Sequence, residues 1–267
     1  MSAASGGLSI REGVRRQVDY WWIAYLRTWK GSAVNSFVAP LFYVLAMGVL
    51  LGGFVEADPA TLEGATSYLA FVVPGLVASQ AMQIAVAETT YPLMGMIKWH
   101  RTYFAMIATP LAPRHLVAGH LLFVLFRVAT SCAVFTLVVA PFGVFATWWG
   151  AVLAFAAQVL VGMVFAGLVY GLTTRIHSEE GFGVLYRLGI FPLFLFSGAF
   201  FPISNLGPVL ETVARLTPLW HGVDLSRMLA LGTVDPGRAG VHLVVLVTLL
   251  GVGWVWSVTG LTRRLAS

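Results

Sequence analysis

Six long apolar runs dominate the chain, and polar residues gather in the short stretches between them. The runs cover about 34–55, 67–90, 115–140, 147–173, 182–200 and 239–261. A helix needs roughly 20 apolar residues to cross a bilayer, and each run comes close to that length. The pattern therefore predicts an all-α integral membrane protein with six transmembrane helices.

The segment before the first run follows a different pattern. Between about 7 and 30, aromatic and aliphatic residues recur at helical spacing, and charged residues occupy the other side. This indicates an amphipathic helix in the membrane interface, with bases toward anionic lipid; packing on a soluble partner is the alternative. The residues that mark this interface helix are Arg15, Arg16, Trp21, Trp22 and Trp29. We divide the chain into a cytoplasmic N-terminal segment, 1–33, and a membrane domain, 34–267.

The connection before the last run, 201–238, is long and broken by proline and glycine. Pro202, Pro208, Pro218 and Gly222 divide it into short pieces that still carry apolar residues at helical spacing. Irregular backbone at membrane depth must be shielded by protein or by a water-filled cavity. We therefore expect a short re-entrant or interfacial helical hairpin on the outer side.

The composition supports lipid as the solvent. Hydrophobic residues make up 58% of the 267 residues and charged residues 10%, whereas soluble domains carry about 25% charged residues. The basic residues are scattered between apolar runs, which fits a positive-inside membrane protein better than a nucleic-acid binder. Cys132 is the single cysteine and lies in an apolar run, so it predicts a small buried side chain and no disulfide framework.

The charges in the connections predict an orientation. Acidic residues without Lys or Arg occupy the first connection, whereas Lys98, Arg101 and Arg114 lie in the second and Arg263 and Arg264 in the tail. Because cytoplasmic connections carry the excess of basic residues, both termini are expected in the cytoplasm.

Catalytic and nucleotide-binding motifs are absent from the sequence. It has no G-x-x-x-x-G-K-[ST] phosphate loop, no H-E-x-x-H and no G-x-S-x-G. The histidines His177, His221 and His242 are expected to be interfacial or packed. Gly162, Gly167 and Gly171 are expected to allow close helix packing.

Polar residues inside the apolar runs are the candidates for a substrate pathway, because they are costly at bilayer depth. They are Gln80, Gln83, Arg127 and Gln158. We expect one buried layer in which the glutamines offer carbonyl oxygens to Arg127. The alternatives are structural contacts between helices and an Arg127 that extends toward the cytoplasm. Glu88 is expected near the cytoplasmic end of the second span, which disfavours an intramembrane carboxylate site for proton or sodium coupling.

Two stretches resemble a known family. One is T-Y-F-A-M-I-A-T-P-L-A-P-R at 102–114; the other combines S-G-A-F-F-P at 197–202 with P-L-W-H-G-V-D at 218–224. With the six-span layout, they resemble the permease subunits of type-2 ABC exporters, in the branch of nodulation protein J, with daunorubicin-resistance permeases further away. Relatives often carry acidic residues where this chain has Phe104 and His120.

The resemblance implies a permease of the bacterial inner membrane that dimerises and docks on two copies of a separate ATPase, which binds ATP and Mg²⁺; this chain itself needs no cofactor. It also implies a cytoplasmic coupling helix between the second and third spans. Here that segment is Thr102, Tyr103, Phe104, Ala105, Met106, Ile107 and Ala108. Its apolar side chains are expected to fill a groove of the ATPase, with packing on the interface helix as the alternative. The helix should end near Thr109 because Pro110 follows.

The first, second and fifth spans border the substrate route in the family, so an amphipathic substrate is implied: a glycolipid, a lipo-oligosaccharide or a drug. A homodimer and a heterodimer with a second permease both stay open. Two other functions also stay open from the residues alone: a secondary transporter and a membrane-embedded enzyme that modifies lipid.

Overall fold

The computed structural model describes residues 9–43, 46 and 62–266, and every regular element in those ranges is a helix. Four helical segments there are long and apolar enough to cross a membrane: Tyr68–Trp99, Pro113–Phe142, Trp148–Thr173 and Pro236–Ala266. They correspond to the second, third, fourth and sixth predicted spans.

The α-helices in the described residues are α1 (Ile10–Tyr43), α2 (Tyr68–Thr89), α3 (Tyr91–Met94), α4 (Thr102–Ile107), α5 (Pro113–Val139), α6 (Trp148–Thr173), α7 (Glu180–Val184), α8 (Phe191–Phe196), α9 (Pro208–Arg215), α10 (Pro218–Leu231) and α11 (Pro236–Ala266).

Local sequence explains where several helices begin. The hydroxyl groups of Ser67, Thr147 and Thr217 cap α2, α6 and α10 by accepting a hydrogen bond from the backbone N–H three residues later, at 3.1, 3.1 and 3.3 Å. Such caps satisfy N–H groups that have no partner within the helix. Gly232 ends α10 with a φ of 72°, a left-handed conformation that favours glycine.

The centre of the bundle is α6, which packs against α2, α5, α10 and α11. Its glycines allow these neighbours to approach. A Cβ at Gly167 would lie 3.2 Å from the backbone of Gly253, and one at Gly162 would lie 2.7 Å from the Val128 side chain. Gly171 faces the Trp256 side chain in the same way. The predicted packing role of the three α6 glycines is confirmed.

The N-terminal region differs from the prediction in one respect. The interface helix was expected to end near residue 30 and the first span to begin at 34, but α1 is one uninterrupted helix from Ile10 to Tyr43. No proline or glycine pair interrupts the sequence where the two were expected to separate. The latter part of the predicted first span, 47–55, lies outside the described residues.

The predicted second span is longer than expected. α2 continues through α3 into a π-helical turn, Gly95–Trp99, so that the segment runs to Trp99. The predicted fifth span is shorter and irregular: α7, a π-helical turn at Leu185–Ile190 and α8 follow one another, and the helix ends at Phe196. Beyond it, α9 and α10 form the helical pair expected in the 201–238 connection.

Connections predicted on the same side of the membrane lie at the same end of the bundle. At the end predicted to face the cytoplasm, which we call the inner end, the Lys98 ammonium lies 3.2 Å from a Glu179 carboxylate oxygen, and the Trp99 indole N–H donates to that oxygen at 3.0 Å. These two donors, Trp99 first, hold the pKa of Glu179 below its usual value. At the outer end, the backbone N–H of Ala146 donates to the Ala230 carbonyl at 2.9 Å.

Candidate functional site

The predicted coupling segment forms a short helix at the inner end. α4 spans Thr102–Ile107 and is capped by Ala108, so the end expected before Thr109-Pro110 is confirmed. Arg101, which precedes it, has a φ of 50°, and its guanidinium lies 5.1 Å from the centre of the Phe104 ring. The left-handed residue turns the chain sharply from the π-helical turn into α4.

Tyr103 corrects the expectation that the apolar side chains of this segment all face outward. It is completely buried, and its hydroxyl shares a 3.2 Å hydrogen bond with Nδ1 of His120 in α5. The His120 ring in turn stacks on Trp21 of α1 at 4.2 Å between ring centres and meets the Tyr170 ring of α6 edge-on at 5.5 Å. We call Gln17, Trp21, Tyr103, His120 and Tyr170 the inner cluster. Because His120 is buried within its own chain, it is not on the surface that an ATPase could contact.

Met106 also belongs to the interior contacts of α4, because its sulfur accepts a 3.4 Å hydrogen bond from the side-chain amide of Gln17 in α1. The alternative interpretation, packing on the interface helix, thus holds for Met106, whereas Tyr103 is buried by a contact with α5. Ala105 and Ala108 are exposed, whereas Phe104 and Ile107 are half-buried and pack partly against the core. The outward face of α4 is therefore Ala105, Ala108 and the exposed part of Phe104, and it is smaller than the sequence indicated.

The interface-helix residues divide into two groups. Trp21 is buried in the inner cluster, so its ring packs on another helix of the chain. Trp22 and Trp29 are 45% and 43% exposed. Arg15 and Arg16 pair with acidic residues four positions away on the exposed side of α1, at 3.9 and 2.7 Å.

The expected polar layer is not formed as predicted. Arg127 pairs with Glu88, whose carboxylate oxygen lies 3.1 Å from its Nε, and its guanidinium lies 5.6 Å from the centre of the Tyr25 ring. Glu88 lies eleven residues before the end of the helical segment at Trp99, which is about 16 Å along the axis. It was expected at the cytoplasmic end because the continuation of α2 through α3 was not predicted. A carboxylate outcompetes glutamine carbonyls for a guanidinium, since both partners are charged.

The three glutamines lie in different surroundings. Gln158 is buried in α6, and its amide has no hydrogen-bond partner among the described residues. Gln80 is half-buried on α2. Gln83 lines a cavity of about 790 Å³ between α2 and the α7–α8 segment; its other lining residues are Ala87, Tyr186, Arg187, Ile190, Phe191 and Phe194.

Sequence reasoning missed Arg187 in this cavity. The residue lies inside the predicted fifth span, 182–200, and a basic residue in an apolar run was the signal that could have found it. The α7–α8 segment is held to α2 near its beginning, where the hydroxyls of Thr90 and Tyr186 share a 3.1 Å hydrogen bond and the rings of Tyr91 and Phe182 meet edge-on.

A second group of polar residues lies at the outer end. The Arg227 guanidinium donates to the carbonyls of Phe71 and Gly198, at 3.1 and 2.6 Å, and pairs with Glu63 at 2.8 Å. Asp224 accepts from Arg238 and pairs with His242, both at 2.8 Å. His242 also shares a 2.7 Å hydrogen bond with His221, so these two histidines are packed residues, as expected. The outer cluster is Glu63, His221, Asp224, Arg227, Arg238 and His242.

Comparison with known proteins identifies the family. The family model described as ABC-2 type transporter matches residues 16–231. The chain belongs to the ABC-2 type transporter family. The resemblance drawn from the two sequence stretches is thereby confirmed.

Three relatives illustrate the range of similarity to this ABC-2 type transporter. Nodulation protein J of Rhizobium leguminosarum bv. trifolii is 33% identical, over 91% of this chain and 94% of its own length. Nodulation protein J of Neorhizobium galegae is 27% identical, over 96% and 97%. The inner membrane transport permease YadH of Escherichia coli (strain K12) is 24% identical, over 85% and 83%. No solved structure matches the chain significantly.

Membership in the ABC-2 family makes the chain a membrane-embedded transmembrane subunit of an ABC transporter and implies partnership with an ABC ATPase subunit. A transport permease is not itself an enzyme, so the lipid-modifying alternative loses its support.

The family motifs at the outer end have structural reasons in this ABC-2 transporter. In S-G-A-F-F-P, Gly198 has a φ of 80°, which favours glycine, and this conformation presents its carbonyl to Arg227. In the second motif, His221 and Asp224 belong to the outer cluster, and Thr217 just before it caps α10.

Proposed function

We propose that this chain is the permease of an ATP-driven exporter in a bacterial inner membrane, with six spans and both termini in the cytoplasm. It moves an amphipathic substrate, such as a glycolipid, a lipo-oligosaccharide or a drug, out of the cytoplasm or the inner leaflet. The N-terminal segment 1–33 is the interface region and 34–267 the membrane domain. The observation that carries the proposal is α4, a short helix fixed to α1 and α5 with its outward face uncovered.

The energy comes from separate subunits. Two ATPase copies bind ATP and Mg²⁺, and this chain pairs with a second permease subunit, either a second copy of itself or a different chain. Similarity to nodulation protein J and to a transport permease supports an exporter of this type. The chain has no phosphate loop, so the energy of hydrolysis reaches it through protein contacts.

The inner cluster supplies a route for that energy. Tyr103 connects α4 to α5 through His120, and Met106 connects α4 to α1 through Gln17. A displacement of α4 by the ATPase would therefore move α1 and α5 with it. Such movement biases the permease dimer between inward-open and outward-open states, because each ATPase state binds one of them better.

A substitution on the outward face of α4 tests the proposal. Phe104→Asp puts a charge where an apolar groove is expected, and a fully buried large apolar side chain contributes roughly 1.5–3 kcal/mol. We expect co-purification of the ATPase with the affinity-tagged permease to fall at least tenfold and ATP-dependent transport to stop. Membrane insertion, followed by protease protection, should be unchanged.

The matched control is Phe142→Asp. Phe142 is 53% exposed in the turn after α5, at the end opposite to α4. The Phe142→Asp substitution introduces the same charge in place of the same residue type, away from the proposed contact. ATPase co-purification should therefore stay at the wild-type level. Wild-type transport and co-purification in Phe104→Asp would refute the coupling role of α4.

A further inference from the structure

Arg187 differs from Arg127 and Arg227 in what surrounds it. Arg127 has Glu88, and Arg227 has Glu63 and two carbonyls. Arg187 lines the cavity between α2 and the α7–α8 segment, and no carboxylate in the described part of the chain lies within ion-pair distance of it. Its side chain is exposed, so an incoming ligand can reach the guanidinium. The position is therefore suited to a charge that arrives with a ligand.

The local helix geometry presents this side chain to the cavity. Arg187 lies in the π-helical turn Leu185–Ile190, within a segment that is otherwise α-helical. Single π-helical turns inside α-helices occur frequently at functional sites. The hydrogen bond between Thr90 and Tyr186 connects the neighbouring residue to the C-terminal end of α2, beside the cavity.

The cavity has a polar end and an apolar end. Arg187 and the Gln83 amide supply hydrogen-bond donors, whereas Ile190, Phe191 and Phe194 supply apolar surface. Seven residues of helix separate Arg187 from Phe194, which is about 10 Å. The volume of about 790 Å³ is within the usual size of a small-molecule site. Together these features describe a site for a molecule with an acidic headgroup and an apolar chain.

We propose that this cavity selects anionic amphiphiles as the exported substrate. The anionic headgroup, a phosphate, sulfate or carboxylate, binds Arg187, with Gln83 donating a further hydrogen bond. The apolar chain follows Ile190 at the end of the π-helical turn and Phe191 and Phe194 of α8. This inference rests on the proposed transport function and narrows its substrate class.

Binding of a simple anionic amphiphile tests the headgroup selection. The full-length chain is placed in phosphatidylcholine nanodiscs, and binding of radiolabelled dodecyl phosphate is measured against empty discs. Neutral dodecyl maltoside and cationic dodecyltrimethylammonium are the competing probes. We expect dodecyl phosphate to bind more tightly than both, and Arg187→Gln to weaken it roughly tenfold to a hundredfold, as loss of a charged hydrogen bond predicts.

Two further variants make the result specific. Arg175→Gln removes the same charge from a residue that contacts Trp256 outside the cavity, and it should bind dodecyl phosphate like the wild type. Phe194→Ala should weaken dodecyl phosphate and dodecyl maltoside alike, because it shortens the apolar wall. Equal binding of the anionic and neutral probes, or an Arg187→Gln chain that binds like the wild type, would overturn the proposal.

A resident anionic phospholipid is the other source of the same chemistry, and a second arm separates it. The complex with its co-purified ATPase is reconstituted with and without phosphatidylglycerol, and ATP hydrolysis is measured as dodecyl phosphate is added. Stimulation that depends on Arg187 supports an exported substrate. If phosphatidylglycerol displaces dodecyl phosphate and hydrolysis does not respond, the site holds a resident lipid and the proposal fails. ATPase co-purification is read separately, so this failure leaves the permease function intact.

Discussion

The inner and outer clusters bury polar groups at opposite ends of the bundle, but they are bonded in different ways. The outer cluster is charged, and Arg227 alone makes three hydrogen bonds to three different segments. The inner cluster is made of neutral side chains and aromatic contacts. Within the described residues, Gln17 Oε1, Trp21 Nε1 and His120 Nε2 have no side-chain hydrogen-bond partner.

This difference indicates different mechanical roles. Several charged hydrogen bonds to backbone carbonyls hold these segments in one arrangement, because breaking any of them leaves a buried polar group without a partner and costs free energy. Stacked rings and one neutral hydrogen bond allow neighbouring arrangements of similar energy. We infer that the outer cluster holds its own segments together as one rigid unit, while the inner cluster transmits movement from α4.

The largest expected effect concerns which end faces the cytoplasm. Single cysteines at Lys98 and Val234, in a Cys132→Ser background, should react differently with an impermeant maleimide in intact cells. Position 234 should be labelled from outside and position 98 only after the membrane is opened. Val234 is chosen because the neighbouring Asp235 side chain caps α11. Labelling of position 98 in intact cells would reverse the inner and outer assignments.

The next effect is on stability at the outer end. Arg227→Met leaves the backbone carbonyls of Phe71 and Gly198 without their buried donor and removes the ion pair with Glu63. Each buried acceptor that loses its partner costs about 1–3 kcal/mol. We expect a large fall in melting temperature in detergent and poor recovery of folded protein.

Arg238→Met is its control. The Arg238 side chain is 59% exposed and Asp224 keeps His242, so the loss should be at most about 1 kcal/mol. If Arg227→Met and Arg238→Met lowered the stability equally, the outer cluster would not be held together by Arg227.

The smallest effect sharpens the role of the inner cluster. Tyr103→Phe removes one hydrogen bond to His120 and keeps the ring, so stability should fall by about 0.5–1.5 kcal/mol. If this bond transmits movement from α4, transport per ATP hydrolysed should fall further than the folded fraction does. Tyr20→Phe is the control, since its hydroxyl contacts only the Met96 sulfur, at 3.6 Å. A Tyr103→Phe transporter with unchanged coupling would restrict the inner cluster to packing.

Much of the fold could be predicted because the relevant signals are local. The apolar runs located the four helical segments that can cross a membrane, proline and the hydroxyl caps located helix ends, and Thr109-Pro110 located the end of α4. The interface helix and the first span could not be separated correctly, because α1 continues through Gly31 without a break.

The candidate site was harder to predict because it depends on which helices become neighbours. Gln83 lines a cavity, and its role in a substrate pathway stays a prediction, whereas Arg127 was given the wrong partner and Arg187 was missed. Pairing of Arg127 with Glu88 requires the register between α2 and α5, which neither helix specifies alone.

The sequence by itself determined that the chain is a helical membrane permease with a short helix between its second and third long helical segments. Hydropathy, helix caps and family motifs act within short stretches, so they can be read without the fold. Only the tertiary structure decided that Tyr103 turns inward to His120, that Arg227 binds the Gly198 carbonyl, and that Arg187 meets Gln83 across a cavity. Each of these pairs joins residues on different helices, and their distance is set by how the helices pack.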